Sequence, residues 1–355
     1  MKAMQITEFG KPLAPAEVDT PKPSGSSVLV KVAAAGVCHT DLHLVSGGYD
    51  LGDGKFFSFK DGGLRLPVTP GHEISGLVAE LGGSYNGTLK QGDPVIVYPW
   101  IGCGECRKCM SGTENLCEGK AASLGFFRDG GYAEYVLVPN GRYAVKSEGI
   151  RPEQAATLSC MGLTVYNALK RCRLMSDDLL VVIGVGGLGT LCVQLAKRIS
   201  GARVAAIDVE DSKLEQARGL GAEFTINTSG ASKGEIISEL RKRNSGRGAD
   251  AVVDFVGNSA TASLGFDLLG RDGRLGLVGL VGGATQFALP RFPIRGVEIM
   301  GIYTGTLRDM AEMIDMTRRG IVAPVIAGKF RLEEANDILE RLRAREILGR
   351  AVLIP

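Results

Sequence analysis

The sequence predicts an α/β chain in two parts, a loop-rich β domain followed by a doubly wound parallel sheet. Three observations predict it. Up to residue 155, short Val-rich runs are broken by Gly and Pro, at Ser27–Ala35, Glu73–Leu81, Pro94–Tyr98 and Tyr132–Val138, the pattern of a β-rich domain. Beyond it, strand-like runs at Leu179–Gly184, Arg203–Asp208, Glu223–Asn227, Ala251–Val256, Arg274–Leu280 and Glu298–Tyr303 alternate with helical patterns at Leu188–Ile199, Ser212–Leu220, Lys233–Arg243 and Ala260–Leu269. Six short strands with helices between them describe a parallel, doubly wound sheet. Lastly, two amphipathic helical runs, Leu307–Arg319 and Leu332–Arg345, precede a strand, Gly349–Ile354, that has no place in a finished six-strand sheet. That strand could return to the first domain and make it discontinuous.

Composition narrows the function classes. The 355 residues are 45% hydrophobic and 23% charged, as in an ordinary soluble protein. Forty-one basic residues against 39 acidic ones leave a net charge of +2, which offers no footprint for nucleic acid or an anionic membrane. The N-terminus reaches Glu8 before any apolar run, so no signal peptide is expected. The uncharged stretch Leu179–Ala196 is long enough to test as a membrane span, but glycines crowded into 184–189 and Gln194 fit a strand, a Gly-rich loop and a buried helix better. A soluble, cytoplasmic protein is expected.

The motif Gly184-Val185-Gly186-Gly187-Leu188-Gly189 fits G-x-G-x-x-G between an expected strand and an expected helix. In that context the helix N-terminus receives a dinucleotide pyrophosphate. The next strand ends in Asp208, 19 residues after the last glycine, where an acid accepts hydrogen bonds from the adenosine ribose. Asp208, with Glu210 and Asp211 beyond it, repels a 2′-phosphate, which favours NAD over NADP.

Cys103, Cys106, Cys109 and Cys117 cluster in one glycine-containing loop. Four thiolates with no open position describe a tetrahedral structural zinc; an iron–sulfur cluster is the alternative, and it lacks a Cys-Pro signature here. All three histidines, His39, His43 and His72, fall within residues 39–72. A catalytic zinc needs three protein ligands and a free position. Cys38 and His72 are first choices, and Cys160, at the expected seam between domains, is the best third ligand among the remaining cysteines. Glu73, beside His72, could take the fourth position at rest.

The sequence resembles the zinc-containing medium-chain alcohol dehydrogenases essentially end to end. The residues that carry the resemblance are Gly36-Val37-Cys38-His39-Thr40-Asp41, Gly71-His72-Glu73, the four-cysteine lobe, Gly131-Tyr132-Ala133-Glu134-Tyr135, Cys160 with Thr164, the Gly loop with Asp208, and Leu348-Gly349-Arg350. The likeness is greatest to microbial, tetrameric, NAD-dependent members. It implies a GroES-like catalytic domain of residues 1–159 and 297–355 and a Rossmann NAD-binding domain of residues 160–296. It implies a catalytic zinc on Cys38, His72 and Cys160, with Glu73 exchanging or nearby, and Asp41 fixing the His72 tautomer. By the same resemblance Arg350 and His39 meet the pyrophosphate, Thr164 the nicotinamide and Lys213 the adenosine ribose, while Phe255, Val256, Val278 and Leu280 complete the cofactor contacts.

Two features depart from the family pattern: His39 stands where well-studied relatives carry arginine, and the Gly- and Phe-rich stretch Gly47–Leu66 is an addition. Cys160, where the polyol-type branch has a glutamate nearby, favours ordinary alcohols. The expected reaction is reversible hydride transfer between NAD and a primary or secondary alcohol, including cyclic or aromatic ones. Zinc acts as the Lewis acid, and Thr40 passes the alcohol proton through the nicotinamide ribose to His43. Trp100 could wall the substrate pocket or simply pack. The alternative is a same-family enzyme for a specialised substrate such as a CoA-linked alcohol; a non-enzymatic nucleotide-binding protein is disfavoured by the complete ligand set.

Overall fold

The Val-rich runs of the first half pair into one seven-stranded sheet centred on the strand Val28–Gly36. In the computed structural model, which describes residues 1–321 and 323–355, this strand lies antiparallel to Glu73–Leu81 on one side. On the other side Tyr135–Val138 covers its first half and Arg350–Ile354 its end. Pro94–Val97 and Ala144–Lys146 extend the sheet one way, and Ile326–Arg331 the other. Val28–Gly36 is apolar almost throughout because the helix Pro152–Thr157 packs on it, with Ala34, Ala156 and Val352 in mutual contact.

The second sheet has six strands, all parallel, in the order Phe224–Asn227, Arg203–Asp208, Leu179–Ile183, Ala249–Asp254, Leu269–Leu277, Glu298–Gly301. Leu179–Ile183 is buried at every residue, as a strand with helices on both faces must be. The strand order reverses beside it, which puts the switch point of the doubly wound sheet at its C-terminal end. The α/β class expected from the sequence is the one the chain adopts. The uncharged stretch Leu179–Ala196 resolves into that strand, a loop and the helix Gly187–Ser200. Among the described residues no helix is long and apolar enough to cross a membrane.

Contacts divide the chain into two compact units, one of Met1–Gly48, Ser58–Leu163 and Thr304–Pro355, the other of Tyr49–Phe57 and Thr164–Tyr303. The divisions thus fall a few residues beyond 159/160 and 296/297. The stretch Gly47–Leu66 contains a hairpin, Gly48–Gly52 with Lys55–Ser58. Its turn residues Asp53 and Gly54 both have positive φ, 52° and 72°, the geometry that Asp-Gly hairpins favour. The hairpin sits with the second unit because Gly283 N–H donates to Asp50 O at 3.2 Å.

Candidate functional site

Strand register assembles a buried cluster at one end of the first sheet. Gly36 lies opposite both Glu73 and Val352, so Cys38, His72–Glu73 and Arg350 all reach the same place. Gly36 is required there, because a side chain would overlap the Glu73 carboxylate. Cys160 arrives on a π-helical turn, Leu158–Gly162, inserted between the helices Pro152–Thr157 and Leu163–Cys172; such wide turns recur at functional sites. The turn is tied down by the Trp100 indole N–H, which donates to Ser159 O at 3.1 Å, and the Trp100 ring lies 5.3 Å from that of His72. One ligand atom from each of Cys38, His72, Glu73 and Cys160 lies within 4.8 Å of all the others, and all four residues are buried.

The partners of this cluster leave certain atoms unsatisfied. Arg350 donates to Glu73 Oε1 at 2.8 Å and to Val37 O at 3.1 Å. Asp41 Oδ1 faces His72 Nδ1 at 3.4 Å, and its Oδ2 accepts the Cys38 N–H at 2.8 Å. His72 Nε2 and Glu73 Oε2 are buried with no hydrogen-bond partner, and His72 Nδ1 and Asp41 Oδ1 meet only as an ion pair, without a hydrogen bond. Buried polar atoms rarely stay unpaired, and a cation among two sulfurs, an imidazole and a carboxylate satisfies Nε2 and Oε2; this donor set suits zinc. The Cys160 hydrogen bond, then Arg350 and His72, hold the Cys38 thiol well below its ordinary range against the effect of burial. The same bond, with burial, pushes Cys160 well above it. Burial raises the Glu73 carboxyl to about 7 although Arg350 opposes it. Burial alone would lower His72, but Asp41 and Cys38 outweigh it and raise the imidazole to about 10.

The second cluster is local. Cys106 caps the short helix Arg107–Met110. Its sulfur lies 3.5 Å from Cys109 Sγ and 3.9 Å from Cys117 Sγ, with Cys103 Sγ 3.9 Å from Cys109 Sγ. Four sulfurs at tetrahedral corners about 2.3 Å from zinc are roughly 3.8 Å apart, so the lobe fits the ion without a disulfide. Backbone N–H groups of Cys103, Cys106, Cys109 and Gly119 donate to the sulfurs at 3.2–3.5 Å. The Cys109 N–H is the chief reason the Cys106 thiol is pulled down to about 6, whereas burial pushes Cys109 up to about 12.

The Gly loop joins Leu179–Ile183 to Gly187–Ser200 at the switch point, and its glycines divide the work. Gly184 turns the chain with φ +84°. Gly186 caps the helix with open space where a side chain would be, and a side chain on Gly189 would overlap Gly184 O. Close approach of a pyrophosphate and close helix–strand packing need this arrangement. Asp208 braces the loop: Oδ2 accepts the Val185 N–H at 2.8 Å and Oδ1 the Val209 N–H at 2.7 Å.

Residues 24–148 match the family described as alcohol dehydrogenase GroES-like domain, and residues 187–319 that described as zinc-binding dehydrogenase. The NAD-dependent alcohol dehydrogenase of Sulfurisphaera tokodaii is 40% identical over 356 residues, the whole of both chains. That of Saccharolobus solfataricus is 38% identical over the same span. The chain belongs to the zinc-containing medium-chain dehydrogenase family. Among solved structures, the alcohol dehydrogenase of the hyperthermophilic archaeon Aeropyrum pernix superposes with a TM-score of 0.90 at 36% identity, covering all of both chains. A cobalt- and zinc-bound thermostable alcohol dehydrogenase from Pyrobaculum aerophilum gives 0.85 at 30% identity, covering 100% of this chain and 99% of that one.

In this medium-chain dehydrogenase the remaining candidates are placed as follows. His39, Thr40, Asp41 and His43 lie on the helix His39–Ser46, which Cys38 caps. Thr40 and His43, three apart, share a helix face; both are half-buried, while His39 is exposed. Burial lowers the His43 imidazole below its ordinary 6.5. Thr164 is buried in the first turn of Leu163–Cys172. Lys213 is buried and pairs with Glu210 at 2.6 Å. Phe255, Val256 and Val278 are half-buried at the C-terminal ends of the two strands after the switch point, and Leu280 is exposed. Arg350 is 3% exposed and donates to Glu73 and Val37, while its Nε is buried without a hydrogen-bond partner. Tyr132, in the motif Gly131–Tyr135, joins the site without a sequence signal of its own: its hydroxyl donates to Asp41 Oδ2 at 3.0 Å.

Proposed function

We propose that this chain is a zinc-dependent alcohol dehydrogenase, transferring hydride reversibly between an alcohol and NAD to give an aldehyde or ketone. One observation carries the proposal: Cys38, His72, Glu73 and Cys160 converge in a buried cluster that leaves His72 Nε2 and Glu73 Oε2 without partners. Cys38, His72 and Cys160 would hold the catalytic zinc with Glu73 as the further donor, and the four-cysteine lobe a structural zinc. The catalytic ion would supply Lewis acidity that acidifies a substrate hydroxyl, as it lowers the pKa of water by on the order of nine units. NAD would accept the hydride.

The chain's own residues do the rest. The Gly184–Gly189 loop and the N-terminus of Gly187–Ser200 orient the pyrophosphate. Asp208 takes the adenosine ribose and disfavours a 2′-phosphate. Thr40 would accept the proton leaving the alcohol, and His43 would be the group that receives it next. Because burial lowers His43, it is neutral near pH 7 and able to take that proton. Asp41 keeps His72 oriented through Nδ1, which leaves Nε2 for the metal. The substrate class is primary or secondary alcohols, including cyclic and aromatic ones. The likeness to microbial tetrameric members supports a cytoplasmic homotetramer, with a homodimer as the smaller assembly.

The test is NADH formation over a panel of primary, secondary, cyclic and aromatic alcohols, with and without a zinc chelator. Turnover that the chelator abolishes is expected; silence from folded protein with two bound zinc ions would move the assignment to a specialised substrate such as a CoA-linked alcohol. Asp208→Ala is expected to narrow the preference for NAD over NADP by about tenfold. An unchanged ratio would remove Asp208 from cofactor choice.

A further inference from the structure

Behind the buried cluster, Asp41 is fully buried and faces His72 with one oxygen. Its other oxygen takes two donors, the Cys38 N–H at 2.8 Å and the Tyr132 hydroxyl at 3.0 Å. We propose that Tyr132 is a positioning residue for the metal site: its hydroxyl fixes the Asp41 carboxylate, and Asp41 in turn fixes the ring of His72. The proposal rests on the metal-site reading given above.

Charge balance explains why the hydroxyl is needed. Two thiolates, Cys38 and Cys160, match one divalent cation, and Glu73 is matched by Arg350 at 2.8 Å. Once His72 serves as a neutral metal ligand, Asp41 loses the charge of its one ion-pair partner, the imidazole 3.4 Å away, and is the carboxylate of this group left without a cation among the described residues. A buried carboxylate in that position must be held by hydrogen-bond donors. A backbone N–H from its own helix cap and a phenol 91 residues away supply them.

The Tyr132 ring is itself fixed. Its N–H donates to Pro70 O at 3.1 Å, and its carbonyl accepts the Met4 N–H at 2.8 Å. Its ring fills the space beside Gly71, whose φ is +90° and where any side chain would overlap the ring. The tyrosine therefore supports the turn that enters His72 and also holds the carboxylate that orients the His72 ring. Burial, with Asp41 beside it, keeps the phenol well above its ordinary titration range, so it remains a donor.

The test uses the zinc-loaded protein and follows zinc release to a coloured chelator in wild type, Tyr132→Phe, Asp41→Asn and the double variant. Phe keeps the ring and removes one donor. The wild type should release two kinetically distinct zinc ions. Tyr132→Phe should release the buried one about tenfold faster, the scale found for outer partners of metal ligands. The lobe zinc should leave at its wild-type rate. In the Asp41→Asn background Tyr132→Phe should add nothing, because its route to His72 is already cut. Unchanged release from the buried site overturns the proposal, as does the same acceleration with Asp41 replaced. If Asp41→Asn does not fold, the lobe zinc serves as the reference, and equal acceleration at both sites overturns the proposal. A wild type holding only the lobe zinc would refute the metal-site reading itself and the proposal with it.

Discussion

The two cysteine-containing clusters solve one electrostatic problem in opposite ways. The lobe draws all four candidate ligands from residues 103–117, and three of them are partly exposed. Four thiolates around a divalent ion leave two surplus negative charges, which nearby water and four backbone N–H donors to sulfur can accommodate. The buried cluster draws its candidate ligands from residues 38 to 160, all of them buried. Surplus charge there would be costly, and the Glu73 carboxylate has a counterpart: Arg350 comes from the last strand of the chain to meet it. A site near water can be local and unbalanced, whereas a buried one recruits balancing groups from distant sequence.

Four measurements would break or sharpen this contrast. Cys38→Ser should lower the rate of alcohol oxidation by at least about a thousandfold, with metal content falling from two zinc ions per chain to one. Retention of both ions at full activity would remove Cys38 from the site. Arg350→Met should come next in size. Leaving Glu73 buried without its cation costs about 3–5 kcal/mol, and urea unfolding should show a larger loss in the metal-free protein than in the zinc-loaded one. Equal losses would mean that Arg350 does not balance the charge of the cluster.

In the lobe, Cys109→Ser should release the structural zinc and lower Tm by about 10 °C, while turnover per remaining zinc stays within about twofold at 25 °C. A collapse of turnover with unchanged Tm would invert the two roles. The smallest effect concerns His43. Burial lowers its folded pKa below the ordinary 6.5, so oxidation should decline only as pH falls through that lowered value. The unfolded chain binds its proton first, so stability should also decline as pH drops from 6.5 toward the folded pKa. His43→Gln should remove that acidic limb of stability and slow oxidation about tenfold near neutrality; an unchanged pH profile would take His43 out of the proton path.

Much of this was legible in the chain because it is written in short-range pattern. Arg203–Asp208 and Lys233–Arg243 have the limits that their periodicity implies. The strand Leu269–Leu277 starts five residues before the expected Arg274, because Gly270 to Gly273 reads as a turn while the register slips between Ala249 and Ala251. The hairpin of Gly47–Leu66 had its Asp53-Gly54 signal in plain view, but which unit it joins depends on Gly283, far along the chain. At the site, the residue types of the ligands and the glycine spacing were visible. The loop-bracing bonds of Asp208, the Lys213–Glu210 pair and the Arg350–Glu73 pair were not.

The sequence by itself determined the α/β class, the Gly loop between strand and helix, and the four-cysteine lobe, because each is set by local period or by ligands a few residues apart. The tertiary structure alone decided which groups surround the buried cluster. Strand register across Glu73, Gly36 and Val352 brings Arg350 to Glu73. The fold of the chain around Gly71 brings Tyr132 to Asp41. No local pattern encodes either meeting, because hydrogen bonds and ion pairs in a buried site depend on which atoms face each other after distant segments have packed.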